Sequence, residues 1–159
     1  MSMAFGKIYK LYKKLCTLAE TYLWPVLNLG IRLFMAKIFF VSGWLRFKDY
    51  MNGQWQNQIT AFTEYHPIPF IPGEIAAIMG TGGELILPAL LASGLLTRIG
   101  AGGLLLMTMM IQFAVPADYG VGNADHYMWM LLLAVPLLKG GGPLSLDFLI
   151  CRFTCKKRS

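Results

Sequence analysis

Charge is the scarcest property of this chain. Of 159 residues only eight are Asp or Glu and two are His, and all charged residues together make up 14%. An ordinary soluble domain carries roughly 25%. So few charges exclude a typical water-facing surface. Cysteine is also sparse: Cys16, Cys151 and Cys155 supply no disulfide framework. Cys151 and Cys155 stand four apart and share a helix face, a spacing open to a metal or redox pair, but reduced thiols beside the inner membrane surface are the expectation. Catalytic signatures are missing as well. There is no P-loop, dinucleotide glycine fingerprint, HExxH, CxxCH, paired-histidine haem constellation or G-x-S-x-G elbow. Nothing here performs redox chemistry unaided with a tightly held cofactor, and no metal site is expected. No cleavable signal is evident, so the chain is read as mature from Met1.

What is abundant is apolar surface. Hydrophobic residues reach 56%, against about 45–50% in soluble domains, and the mean hydropathy is +0.54. Lipid is the expected solvent. The length suits one domain. The net charge of +6 does not point to nucleic acid, because the basic residues flank apolar segments. Lys7, Lys10, Lys13 and Lys14 open the chain, and Arg152, Lys156, Lys157 and Arg158 close it. That placement speaks for topology and attraction to anionic headgroups.

The expected fold is an all-α membrane protein, a four-transmembrane-helix bundle preceded by a basic amphipathic interfacial helix. Residues 1–25 form the interfacial helix, with Ile8, Leu11, Leu15 and Leu18 at helical spacing and Trp24 at headgroup level. Pro25 begins a new helix. Residues 26–149 hold four spans, at about Val26–Leu45, Glu74–Leu96, Ile99–Val115 and Asn123–Leu138. The fourth is short and needs tilt or local thinning. Within the connection 46–73 the stretch Trp55–Glu64 suits a short surface helix, and HPIPFIP is extended. Thr97-Arg98 is a tight turn between antiparallel neighbours. LSLDFLICRF suits a last interfacial segment, and 150–159 is a basic cytoplasmic tail. Lys and Arg placement puts both termini and Arg98 in the cytoplasm, with Arg46 and Lys48 against that assignment.

Glu84 lies within the second span, where a lone charge costs several kcal/mol. Counted at about 1.5 Å per residue from the cytoplasmic ends, Glu84 and His126 fall at about 18 Å, Lys37 at about 16–17 Å and Arg32 at about 9 Å with a long side chain. Arg32 shares a stripe with Ala36, Phe39, Gly43 and Arg46. The expected buried polar network is Arg32, Glu84, His126 and Gln112. Lys37 is left to bind Glu84, to snorkel or to meet another subunit. Gly80, Gly82 and Gly83 permit close helix approach. Two readings of Glu84 stand side by side: a helix-to-helix tie, or the acid of a polar pocket. His126 is either a capping residue beside Asp125 or a relay or ligand group. His66 is read as a turn residue. The ten methionines are read as membrane packing rather than a copper site.

RLFMAKIFFVSGWLRF, GELILPALLASGLLTRIGAGGLLLMTMMIQF and HYMWMLLLAVPLLKGGGPLSLDFL together resemble the DoxX family of small four-helix inner-membrane proteins. The resemblance covers about residues 30–149. It assigns Arg32 to the first-span arginine, Gly43 to its glycine, Arg46 to the basic position at its end, Glu84 to the second-span acid and Arg98 to the turn arginine. His126 falls at a position often polar in the family. Gly142, Pro143, Ser145 and Asp147 match the closing motif. YHPIPFIPGEIAA and IQFAVP are similar to the branch found beside metal-binding peptide systems of the bufferin type. The resemblance implies an assisting subunit of a membrane redox or metal-stress system, whose pocket takes a quinone headgroup, a small anion or a partner. It leaves open a quinone-linked oxidoreductase subunit that relays protons, and a small transporter or scaffold. The implied partners are the bilayer and other membrane or periplasmic subunits or further copies of the chain, and quinone is the one cofactor it suggests.

Overall fold

A computed structural model describes residues 2–65, 67–116, 118, 120 and 122–155, with the side chains of 2–5 and 155 left aside. The readings of His66, Lys156, Lys157, Arg158 and the Cys155 thiol lie outside the described residues. Among the described residues seven α-helices follow in order: α1 Ser2–Leu18, α2 Trp24–Met51, α3 Trp55–Thr60, α4 Gly73–Ser93, α5 Thr97–Met109, α6 Ala124–Lys139 and α7 Leu146–Cys155. π-helical turns Ala19–Leu23, Ala61–Tyr65 and Met110–Ala114 extend α1, α3 and α5. No strand occurs among the described residues.

Three boundaries differ from the sequence reading, each for a local reason. Pro25 does not start a separate helix: the π turn carries α1 into α2 without a break. α2 also runs past Leu45 to Met51. Its last turns are held by a ladder of rings, Trp44 to Phe47 at 5.7 Å, Phe47 to Tyr50 at 6.2 Å and Tyr50 to Trp55 at 5.6 Å. It ends where Gly53 takes φ +73°, a left-handed conformation that favours glycine. α4 stops at Ser93 because Gly94, at φ +71°, closes it, with the Gly94 and Leu95 N–H groups both donating to Leu90 O. α5 therefore starts at Thr97, and Arg98 sits in its first turn rather than in a link. The short helix expected near Trp55–Glu64 and the last one after Ser145 both form.

α2 packs along α4, α4 along α5, α5 along α6, and α6 returns to α2. At the centre Met35 and Phe39 of α2 meet Leu91, Ala101, Leu104 and Leu133. The Phe39 and Trp129 rings meet edge-on at 5.7 Å. The outward faces are apolar and exposed, with Leu33, Phe34, Ile78, Ile86, Leu106 and Leu131 among them. This is the inverse of a soluble bundle and suits acyl chains. Among the described residues three helices are long and apolar enough to cross a membrane: Gly6–Met51, Gly73–Ser93 and Thr97–Ala114. α6, at 16 residues, is shorter than a full crossing of about 20 residues.

α2 and α4 approach closely at Gly43. A Cβ added at Gly43 would lie 2.8 Å from Glu84 Cβ and 2.9 Å from the Glu84 carbonyl. At Gly82 the same atom meets nothing within 4 Å. Gly43→Ala is expected to destabilise the bundle by about 1–3 kcal/mol, and Gly82→Ala to leave it unchanged. Thermal unfolding in mild detergent compares the two directly; equal midpoints would refute the packing account.

Candidate functional site

The polar groups inside the bundle form three separate nodes rather than one network. The first lies at the end where α4 stops and α5 begins. Arg32 is fully buried. Its Nη1 donates to the carbonyls of Leu91 at 3.2 Å and Ala92 at 3.4 Å, and its Nη2 donates to the carbonyl of Leu144. The last carbonyls of α4 have no intrahelical partner and carry the negative end of the helix dipole, so a guanidinium is well placed there. Arg32 thus ties α2 to α4 and to the segment before α7. One turn earlier, Asn28 Nδ2 donates to Gly140 O at 3.0 Å.

Asp147 completes this node from the other side. Its Oδ1 accepts from Leu96 N at 2.8 Å. Its Oδ2 accepts from Thr97 N at 2.9 Å and from Thr97 Oγ1 at 2.8 Å. A residue 50 positions away therefore caps the start of α5. Burial pushes the Asp147 carboxyl up. The hydrogen bonds from Thr97 and Leu96 and the charge of Arg32 outweigh it, leaving the group below the usual aspartate range. Ser145 Oγ donates to Gly142 O at 2.6 Å. A Cβ at Gly141 would lie 2.6 Å from Thr97 Oγ1, so glycine is required for this closure. Arg98 is exposed, and its Nη2 donates to Leu138 O at 3.3 Å. The family-motif residues Arg32, Arg98, Gly142, Ser145 and Asp147 thus meet in one lock, beside an open hollow of about 480 Å³.

The second node holds Glu84. Its Oε1 lies 3.0 Å from Arg46 Nη1, and its side chain is 4% exposed against 26% for Arg46. Arg46 also stands over the Phe62 ring at 5.1 Å. Glu84 Oε2 is buried and has no partner in hydrogen-bond geometry among the described residues, with the Ser42 hydroxyl beside the carboxylate; Thr81 Oγ1 one turn away on α4, and Asn28 Oδ1 and Arg32 Nε in the first node, are likewise unpaired. Glu84 and Arg46 line a groove of about 410 Å³ whose other walls are apolar, from Phe62, Ile68 and Ile71 of the α2–α4 connection and from Met79, Leu106, Met107 and Met110 of α4, α5 and the π turn that extends α5. Gly80, Gly82, Gly83 and Gly103 also line the groove; Gly82 faces open space, whereas Gly80, Gly83 and Gly103 let Phe62, Met107 and Leu87 pack close.

The third node sits at the opposite end of α5. His126 Nδ1 lies 2.8 Å from Gln112 Oε1, which also accepts from Asn123 N at 3.1 Å. Gln112 Nε2 donates to Tyr127 Oη at 3.3 Å. This joins the end of α5 to the start of α6.

Several expectations are corrected here. Arg32 does not pair with Glu84; Arg46 does. Gln112 and His126 meet each other, but in a node apart from Glu84. Lys37 is exposed on the outer face of α2 and takes no part in the interior. The depth count placed Arg32 too near Glu84 because the first residue of α2 is not level with the last of α4. Asn28 and Arg32 already occupy the α4 end, which brings Gly43 opposite Glu84 and Arg46 one turn beyond. Asn28 and the role of Thr97 were missed. Asn28 had a visible signal, since it is polar and falls one turn before Arg32 on the same stripe. The methionines Met79, Met107 and Met110 do line one groove, among apolar neighbours.

Comparison with known proteins follows the same segments. The family described as DoxX matches residues 27–117. A Haemophilus influenzae protein named only as uncharacterized is 37% identical over 127 residues, covering 76% of this chain and 80% of its own length. No solved structure matches. The closing lock at Gly142–Asp147 lies beyond the segment matched to the family.

Asp147 sets a pH dependence with a definite sign. A carboxylate held below its unfolded value, about 3.9, contributes stability that is present above that pH and is lost as pH falls through the folded value. The thermal midpoint is expected to drop on acidification below about pH 4. Asp147→Asn should lower the midpoint at neutral pH and flatten the curve in that acid window. A variant with an unchanged acid limb would refute the capping role.

Proposed function

The chain belongs to the DoxX family, and from that premise we propose that it is a multi-pass inner-membrane protein that assists a redox or metal-stress system by holding a quinone headgroup in the groove beside Arg46 and Glu84. The observation that carries this reading is the buried Glu84 Oε2, left without a partner at the wall of an apolar groove. An unmatched buried acceptor costs about 1–3 kcal/mol, so a ligand that satisfies it gains in proportion. The groove volume lies in the range of small-molecule sites. A quinone brings an apolar ring and chain for the walls and a carbonyl oxygen for the Arg46 guanidinium. Its reduced form brings a hydroxyl that donates to Glu84 Oε2. Arg32, Gln112 and His126 are assigned positioning roles at the two ends of the bundle rather than ligand contact.

The transporter alternative is less well supported. Met35, Phe39, Leu91, Leu104 and Leu133 fill the space at the bundle centre with a dry layer, and Arg32 and Glu84 keep separate sets of partners.

The proposal includes four crossings with both termini in the cytoplasm. α6 spans about 24 Å, and tilt or local thinning covers the remainder. Among charges outside the bundle centre, Lys7, Lys10, Lys13, Lys14, Arg98, Lys139 and Arg152 belong to one end, with the acids Glu20 and Asp147, and Asp49, Glu64, Glu74, Asp118 and Asp125 belong to the other, with Arg46 and Lys48. Cytoplasmic segments favour Lys and Arg, which assigns the first end to the cytoplasm.

The test is quinone content after purification in mild detergent. Glu84→Gln keeps the side-chain shape, and Gly82→Leu fills the groove at a position with free space. Both are expected to reduce bound quinone about tenfold or more, Gly82→Leu at unchanged yield and thermal midpoint and Glu84→Gln with a lowered midpoint from the lost ion pair. Wild-type quinone content in a folded Gly82→Leu protein would refute the groove as the site.

A further inference from the structure

The bundle leaves α1 without a partner. Among the described elements α1 packs to any extent only on the π turn that follows it. Its apolar stripe is nevertheless well formed: Ile8, Leu11, Leu15 and Leu18 are all exposed, Ile8 by 66%. At about 100° per residue those four fall within one arc of about 80°, and Lys7, Lys10, Lys13 and Lys14 occupy the adjoining arc of about 120°, from beside Leu18 round to the face opposite the stripe. Length sharpens the problem. From Ser2 to Met51 a continuous helix extends about 75 Å, against a hydrocarbon core of about 30 Å. The Asn28 bond to Gly140 fixes α2 in the bundle, so residues 2–23 project about 33 Å beyond that end. Held straight, the stripe would face water along its whole length.

A bend is available where it is needed. Ala19–Leu23 is a π turn with no buried residue, and Pro25, which lacks an N–H, follows at once. π turns and prolines are the usual sites of helix kinks. α7 leaves the bundle at the same end, fixed there by Asp147. It too has an unpartnered apolar stripe, with Leu146, Leu149, Ile150 and Phe153 exposed on one arc. Arg152 lies off that arc.

We propose that α1 and α7 form a docking surface for anionic phospholipid, with α1 folded at the Ala19–Leu23 turn onto the leaflet at the Arg32–Asp147 end. Charge complementarity selects the occupant. Four lysines on one arc match phosphate headgroups, whereas the exposed acids needed for a second copy to cover them are absent from the described part of this end apart from Glu20. The apolar stripe enters the acyl boundary, and the lysines stay among the headgroups. Each lysine near an anionic surface contributes roughly a fivefold preference.

The experiment uses the full chain in vesicles of phosphatidylcholine alone or mixed with phosphatidylglycerol. Cys16, Cys151 and Cys155 are replaced by serine, and spin labels are placed singly by Leu11→Cys, Lys14→Cys and Phe153→Cys. With phosphatidylglycerol present, labels at 11 and 153 should be reached by oxygen dissolved in lipid and the label at 14 by a water-soluble nickel complex. Replacing Lys7, Lys10 and Lys13 by glutamine should shift the docked-to-free ratio of α1 by on the order of a hundredfold and move the label at 11 into water. The thermal midpoint of the bundle reports that these variants remain folded. A label at 11 that is water-exposed in both lipid mixtures overturns the proposal. So does spin–spin broadening between labels at 11, which would assign the stripe to a second copy.

Discussion

The Arg32 guanidinium in the carbonyl end of α4 is the interaction on which the rest of the structure depends. In lipid no water is at hand to satisfy the last carbonyls of a helix, so the chain must supply a donor. Arg32 supplies several at once, to Leu91, Ala92 and Leu144, from a helix that is distant in sequence. Hydrogen bonds to a charged group contribute about 1.5–3 kcal/mol each, enough to fix the level of α2 against α4. Asp147 then caps α5, and the glycines around it let the closing segment fold back over that cap. Charge neutrality is kept locally, with the positive group on a helix C-terminus and the negative group on a helix N-terminus.

Once that level is fixed, the position of Glu84 follows. Gly43 lies against the backbone of Glu84, and Arg46, one turn further, reaches its carboxylate. The ion pair is incomplete because Arg46 is divided between Glu84 Oε1 and the Phe62 ring, leaving Oε2 unmatched. A purely structural tie would be expected to satisfy both oxygens. That unpaired oxygen, beside the open position at Gly82, is the basis of the ligand proposal. Conserving space in a membrane protein by glycine normally brings helices together; at Gly82 it leaves a gap instead.

The outer surface obeys a different economy. Leu33, Phe34, Ile86 and Leu131 face outward because lipid, not protein, covers them. Lys37 belongs to this surface. It lies five residues, about 7–8 Å, along α2 from the level of Arg32 and is exposed on the outer face, so the polar nodes close without it.

The residues alone determined the solvent, the helical class, the extent of most helices and the identity of most polar groups that matter. Scarce charge, long apolar runs and proline and glycine punctuation are local properties, so they were legible without coordinates. The family resemblance agrees with the match to DoxX, which spans Arg32 and Glu84 but stops short of the Gly142–Asp147 motif. Partner choice was not legible. Arg32 and Glu84 were counted about 9 Å apart in depth, a gap a long arginine side chain narrows, yet Arg32 bonds to carbonyls and Glu84 to Arg46. Counting residues fixes position along one helix, but the offset between two helices is set by side chains that meet across them. Here Gly43 on Glu84 and Arg32 on Leu91 set that offset, and only the tertiary structure decides which atoms come within hydrogen-bond range.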